Sequence, residues 1–528
     1  MKRIRLWSLF CILLLALGLT GCGADLNTFT WRVDAVPVNL DPQLAVSSED
    51  VTAVMHLFRG LMRLDASGEP QPDAAESWTV SEDGKVYTFT LKEDLEWVWY
   101  RQRNQDYLRA VTAEDYVYGF QRVFDPETGS PYADDFSCIA GSEAVREGRA
   151  DPSTLGVEAV DERTVRITLD TAYGNLPVLL DIPIVRAADV AANEPLGTGP
   201  YALSGSSLTR RQNWWSDYTP AVTVSSIVLS QADTSGALRD QFEFGKTDLV
   251  CADPGAADYV AYRCDYELWD CPTGILLYLG CNASGSSPFA NGTVRAALTH
   301  GVNRQALAEI YHGFAQEAYL PASPEAACYD SALAAQYGYD AAAFTAALSQ
   351  VGLRNTQATL LADGSNPLRV TVAQTIAQQL TDCGLTVTVN APESQEDYLQ
   401  ALAVGNFDFY LAEVRLSPTF DLSVFFQEDG ALGYGGMADG ELYQLCLKAL
   451  ENSGNYYDLF SAVMEDGQLC PLLFRTYAVY TTRGSVSGLL PGLDNVFHTA
   501  NSRQLADAWT DWTGSTEPPT ETTEPTEP

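Results

Sequence analysis

Cations are scarce in this 528-residue chain, where 31 Lys and Arg stand against 69 Asp and Glu for a formal net charge of -38. A polyanion would be repelled, and no basic stripe occurs, so nucleic-acid binding is excluded. Most of the acidity reads as a solvated surface that keeps the protein soluble. Histidine is scarcer still: the four (His56, His300, His312 and His498) are scattered. No Cys-x-x-Cys occurs, and neither His-Glu-x-x-His nor Gly-x-Ser-x-Gly is present, which removes the usual signatures of zinc sites and hydrolases. No catalytic residue, metal or cofactor is expected. Past Leu19 no segment is long and apolar enough for a membrane span, which needs roughly 18 apolar residues or more.

The apolar run that is present lies at the start. Lys2, Arg3 and Arg5 precede Leu6 to Leu19, and Leu19-Thr20-Gly21-Cys22 follows; this is a secretion signal. Leu-Thr-Gly-Cys resembles the lipobox of bacterial lipoproteins, which implies that Cys22 becomes the lipidated first residue of a chain held on the outer side of the cell membrane or in the periplasm. Nine cysteines follow Cys22, an odd number, so one at least is free or pairs between chains if the others are oxidised. Cys264 and Cys271 either bridge a turn or are buried thiols. At the other end "GSTEPPTETTEPTEP" (514–528) holds no residue able to build a core and reads as a disordered tail. Close to 490 residues lie between, enough for two or three packed lobes.

Hairpins dominate the first half. "SWTVSEDGKVYTFTL" (77–91) predicts two strands around Asp83-Gly84. Thr112 with Asp115 forms a capping box ahead of a helical apolar face at Val117, Phe120 and Phe124, and Val165, Ile167 and Leu169 alternate as a strand. From Ala290 helices take over: one near Val294 to Leu298, one from Asn303 toward Gly313, one from Asp340 to Gly352. Then come a strand at 358–362, a helix over 366–383, a strand at 385–389, a helix over 396–404 and a strand at 407–414. That order predicts a parallel sheet with right-handed crossovers.

Ligands of open parallel sheets bind beyond the carboxyl ends of the strands. "FDFYLAEVRLSPTFDLSVFF" (407–426) leaves such an end with Glu413, Arg415 and Asp421 among apolar neighbours. Two readings stand: an internal ion-pair cluster that fixes the loop, or charges that face a ligand. Tyr434, in the Gly-rich "ALGYGGMADG", is a further ligand candidate, since glycines allow close approach. Trp97, Trp99, Tyr100, Trp214 and Trp215 either stack on a ligand or fill a core.

Several blocks in order resemble one family, the extracellular solute-binding proteins of oligopeptide and dipeptide ABC importers, family 5. They are "NLDPQLAVSSEDVTAVMHLFRGLMRLDASGEPQPDAAESWTVSEDGKVYTFTLKEDLEW" (39–97), "TAEDYVYGFQRVFDP" (112–126), "GTGPY" (197–201), "QNWW" (212–215), "PFANGTVRAALTHGVNRQAL" (288–307) and the pair Pro321 and Pro324. The resemblance implies an α/β, periplasmic-binding-protein-like two-lobe fold (type II, cluster C) with an extra inserted domain. The boundaries expected are signal peptide 1–21, first lobe 22–60 with 190–274 and 480–512, inserted domain 61–189, second lobe 275–479 and tail 513–528. It further implies a monomer that captures a peptide or other small molecule between its lobes and delivers it to an ABC permease; the alternatives are a signal receptor on the same fold and, remotely, a secreted hydrolase. The chain should cross between lobes near 270–280 and 475–485. In peptide-binding members an aspartate after the strand equivalent to 407–414 meets the ligand ammonium. Here that place falls on Ser417, so Glu413 or Asp421 would have to anchor an ammonium and Arg415 a carboxylate.

Overall fold

The computed structural model describes residues 28–33, 40–45, 48–64, 69–101, 105–181, 197–211, 226–284, 287–428 and 430–482. The lipobox with Cys22, Trp214-Trp215 and the acidic tail lie outside them.

The hairpin at 77–91 forms as its alternation dictates. Val86–Leu91 buries Tyr87, Phe89 and Leu91 on one face, and it pairs antiparallel with Ala75–Val80 on one side and Thr164–Thr168 on the other. Val157–Asp161 completes a four-stranded sheet. Helix α1 (Ala113–Phe124) starts where Thr112 N–H and Oγ1 both donate to Asp115 Oδ2, at 2.9 and 3.3 Å. Its apolar face, with Phe120 and Phe124 buried and Val117 half-buried, joins the same core. A second four-stranded sheet runs in the order Thr28–Val33, Ser226–Gln231, Ser207–Arg210, Tyr201–Ser204.

The "GTGPY" block ties that sheet to the helix Ser48–Leu57. Gly199 N–H donates to the Leu57 carbonyl at 2.8 Å, and a Cβ on Gly197 would stand 1.8 Å from the same oxygen. Only glycine permits this approach. Gly197→Ala is therefore expected to destabilise the protein by about 1–3 kcal/mol, as overpacking against backbone does, seen as a lowered unfolding midpoint; an unchanged midpoint would refute the contact.

The largest sheet has seven strands: β1 (Leu249–Ala252), β2 (Tyr266–Cys281), β3 (Ala315–Glu317), β4 (Gln357–Leu361), β5 (Thr386–Asn390), β6 (Phe409–Arg415) and β7 (Leu469–Thr482). They lie in the order β1-β7-β2-β6-β4-β5, with β3 also paired to β7. Helices α2 (Pro367–Asp382) and α3 (Gln395–Val404) make the crossovers between β4, β5 and β6, and these three strands are parallel. The expectation of a parallel sheet holds for them alone. β6 meets β2 antiparallel, and β2 meets β7 antiparallel, so the sheet is mixed. Helices such as Gly292–Ala297 and Ala341–Gln350 lie in the chain between β2 and β6 as well, so strand–helix–strand order alone does not fix parallel pairing.

Both faces of this sheet are covered. Along β2, Leu276 and Tyr278 enter one apolar cluster with Tyr410, Phe425 and Phe460, while Leu277, Leu279 and Cys281 enter another with Phe344, Ile376 and Phe409. Period-two alternation thus serves two cores at once. Of the two readings for Cys264 and Cys271, the thiol one holds: neither is in a disulfide, Cys271 being buried and Cys264 half-buried.

Candidate ligand-binding site

The end of β6 carries a polar network. Glu413 accepts from Tyr311 Oη at 3.2 Å, Arg369 Nη2 at 2.8 Å and Arg475 Nη1 at 2.9 Å. Arg369 reaches back to Asp363 at the end of β4, 2.7 Å away, and Arg475 also pairs with Asp253. Glu413 is only 10% exposed, so its carboxylate is committed to these three donors. Arg415 Nη1 donates to the Thr273 carbonyl at 2.7 Å from an otherwise exposed side chain.

Beyond Arg415 the chain turns through Phe420, at φ 50°. Ser417 Oγ lies 2.9 Å from Thr419 Oγ1 and accepts from Asp421 N–H at 3.3 Å, and Asp421 Oδ1 accepts from Ser423 N–H at 2.8 Å. This loop meets a segment of the N-terminal half. Tyr173 Oη bonds Thr419 Oγ1 at 3.2 Å, Gly174 N–H donates to the Leu450 carbonyl at 3.0 Å, and Asn175 Nδ2 donates to Tyr456 Oη at 3.0 Å. Tyr434 is half-buried with its ring edge-on to Tyr410, 5.9 Å between centroids. Trp97 is buried in the core and donates Nε1–H to Asp115 at 3.1 Å. Of Trp99 and Tyr100, which belong to the strand Glu96–Arg101, the backbone is described.

Three half-buried carboxylates are linked by charge here: Asp135 feels Asp421 of this loop, and Asp181 feels Asp135. Burial, then the neighbouring Asp134 and Asp421, push Asp135 up to about 6. Burial and the Asp135 charge push Asp181 up to about 7 against its own backbone N–H. Burial also raises Asp421, against the Ser423 hydrogen bonds. Tyr132, raised to about 12 by burial, Asp181 and Asp135, donates Oη–H to the Ala45 carbonyl at 2.6 Å. No Arg or Lys among the described residues pairs with Asp135, Asp181 or Asp421. Carboxylates left this way favour an incoming cation over the protein's own interior.

The profile of the bacterial extracellular solute-binding proteins, family 5 (middle), matches residues 69–428. The chain belongs to that family. It is similar to the probable deoxycholate-binding periplasmic protein YgiS of Escherichia coli, 28% identical over 319 residues covering 57% of this chain and 58% of that one. It is similar also to the oligopeptide-binding protein OppA of Bacillus subtilis, 25% identical over 334 residues, 58% and 59%. The match thus spans under three fifths of these curated relatives. The solved structure of the MppA periplasmic murein tripeptide binding protein in its unliganded open form superposes with a TM-score of 0.75 at 20% identity, over 91% of this chain and 97% of that one. The fold is the two-lobe α/β fold of that structure.

In this family 5 solute-binding protein the predicted residues divide. Ser417 and Asp421 sit on the loop at the junction; Glu413 and Arg415 sit at the strand end beneath it, with other partners. Asp135 and Asp181 were not among the sequence candidates. Asp135 lies in "ADDF" and Asp181 closes "LPVLLD"; an acid at the end of an apolar run was the available signal, and it is a weak one without knowing what faces it.

Proposed function

We propose that this chain is the solute-capturing component of an ABC importer, taking a peptide or similar small solute that bears an ammonium between its lobes and presenting it to a membrane permease. It acts as a monomer, anchored outside the cytoplasm through Cys22, with the lobe boundaries expected from the sequence. The observation that carries the ligand class is the trio Asp135, Asp181 and Asp421, contributed by both halves of the chain and paired with no cation among the described residues. An ammonium there gains charge-assisted hydrogen bonds in a site of low polarity. Glu413 and Arg415 serve as scaffold beneath this anchor, Ser417 orders the loop, and Tyr434 lines the wall behind it. The names of relatives span peptides and deoxycholate, so the scaffold alone does not choose the ligand. Native mass spectrometry of protein purified without refolding should find a bound amine; carry-over of neutral or anionic solutes alone would overturn the reading.

Binding should depend on pH with a definite sign. Asp135 and Asp181 hold protons more tightly folded, at about 6 and about 7, than at their ordinary 3.8. The stability this lends to the unliganded protein is full below about 3.8 and is lost as pH rises through 6 to 7. A cation reverses the preference, so affinity for a cationic ligand should rise between pH 5 and 8. Calorimetry in buffers of different ionisation enthalpy should register proton release at pH 6; proton uptake there would contradict the site.

A further inference from the structure

Two strands carry the chain between cores. Along β7, Phe474 belongs to a cluster of the large sheet and Val479 to the cluster built by residues 45–227. At the crossing the β2–β7 register slips between Pro272 and Leu276, and Gly274 takes φ 68°. Side chains replace the ladder there: Thr273 Oγ1 donates to the Arg475 carbonyl at 2.8 Å and accepts from Ile275 N–H at 3.0 Å. This is the wider of two irregularities in the pair, the other falling between Leu277 and Tyr278.

Arg475 stands at that point, 6% exposed, with its fork divided. Nη1 holds Glu413 of β6, which Arg369 and Asp363 brace from within the large sheet's own layer. Nη2 holds Asp253, in the loop after β1, and Asp253 Oδ1 also accepts from Gly255 N–H at 2.7 Å. A Cβ on Gly255 would lie 2.2 Å from Arg475 Nη2, so the loop closes over the guanidinium only because it is glycine. Asn366 Nδ2 adds a bond to the Gly255 carbonyl at 2.9 Å from the start of α2.

We propose that Arg475 is the hinge pin of this protein, a positioning residue whose two-sided grip on Glu413 and Asp253 sets the angle between the lobes before any ligand arrives. Lobe closure of this kind is absorbed by a few residues at strand ends. A bidentate guanidinium loses its bonds steeply with distance and angle, so rotation about Gly274 must either carry Asp253 along or break its contact. The device acts on the unliganded protein and is independent of which solute binds.

Small-angle X-ray scattering of the unliganded protein tests this. Asp253→Ala should move the interlobe peak of the distance distribution and broaden it, with the circular dichroism of the wild type retained. Arg475→Met should do the same more strongly. Arg369→Gln, which disturbs Glu413 only from inside one lobe, should leave the distribution in place. Scattering from Asp253→Ala that superposes on the wild type overturns the proposal, as does an equal shift from Arg369→Gln, because the network would then be packing alone. Failure of the ligand reading would leave these curves unaffected, so the two can be told apart.

Discussion

Arg304→Met should destabilise the protein by about 3–5 kcal/mol, because several buried acceptors lose their donor at once. The guanidinium is 1% exposed and meets no carboxylate among the described residues. Nε donates to the carbonyls of Ala318 (2.7 Å) and Pro471 (3.0 Å), Nη1 to that of Thr299 (3.0 Å), and Nη2 to Thr299 Oγ1 (2.8 Å) and again to Pro471 (2.7 Å). The plane lies 4.7 Å from the Tyr319 ring centroid. Backbone dipoles and a π face thus solvate the cation in place of water. Methionine would fill the stem's volume and abandon those acceptors, each costing about 1–3 kcal/mol when left dry; relief of the buried charge offsets part of that. Lysine keeps the charge but not the fork, and should recover only part of the loss. Denaturant unfolding followed by circular dichroism provides the measure, with Arg149→Met, on an exposed side chain, as the control expected within about 0.5 kcal/mol of wild type. Equal midpoints for the two variants would refute the structural role.

Asp421→Asn should weaken binding of a cationic solute by about 2–5 kcal/mol, the range for removing one partner of a buried charge pair. Asparagine can keep the acceptor for Ser423 N–H, so the loop should stay in place and only the charge is lost. Because burial already disfavours the ionised Asp421, the unliganded variant should be as stable as wild type or slightly more so. Asp135→Asn should act in the same direction, and the double variant should lose less than the sum, since both carboxylates share one field. Calorimetric titration with the amine identified by mass spectrometry would settle it; undiminished affinity in both single variants would assign the ammonium elsewhere. Glu413→Gln offers the contrast. Its carboxylate answers Tyr311, Arg369 and Arg475, so it should reduce stability first and affinity only through the scaffold.

Local structure was largely legible in the sequence. The hairpin around Asp83-Gly84, the Thr112–Asp115 capping box and the strand–helix alternation from 357 to 415 lie within a residue or two of where patterning puts them, because hydrogen bonds to near neighbours and side-chain period decide them. Family blocks were legible too, yet their reasons were not. Arg304 in "GVNRQAL" reads as a charge in a helix, and Gly197 in "GTGPY" as a turn; the former is a buried staple for three segments and the latter is a contact with Leu57.

The charges of 407–426 show where the sequence stops. That Glu413, Arg415 and Asp421 follow an apolar strand, and that the chain is short of cations to pair with its acids, is written in the order of residues. Which acid receives one of those few cations is not: Arg369, Arg475 and Tyr311, brought from 44, 62 and 102 positions away, surround Glu413, while the charge of Asp421 acts to raise Asp135. Periodicity determines the elements, since it acts over a turn or a strand, and the order of sequence blocks carries the resemblance to the family. Pairing among distant charges depends on a three-dimensional approach that no local pattern encodes, and here it ties Glu413 to Arg369 and Arg475 while Asp421 hydrogen-bonds within its own loop.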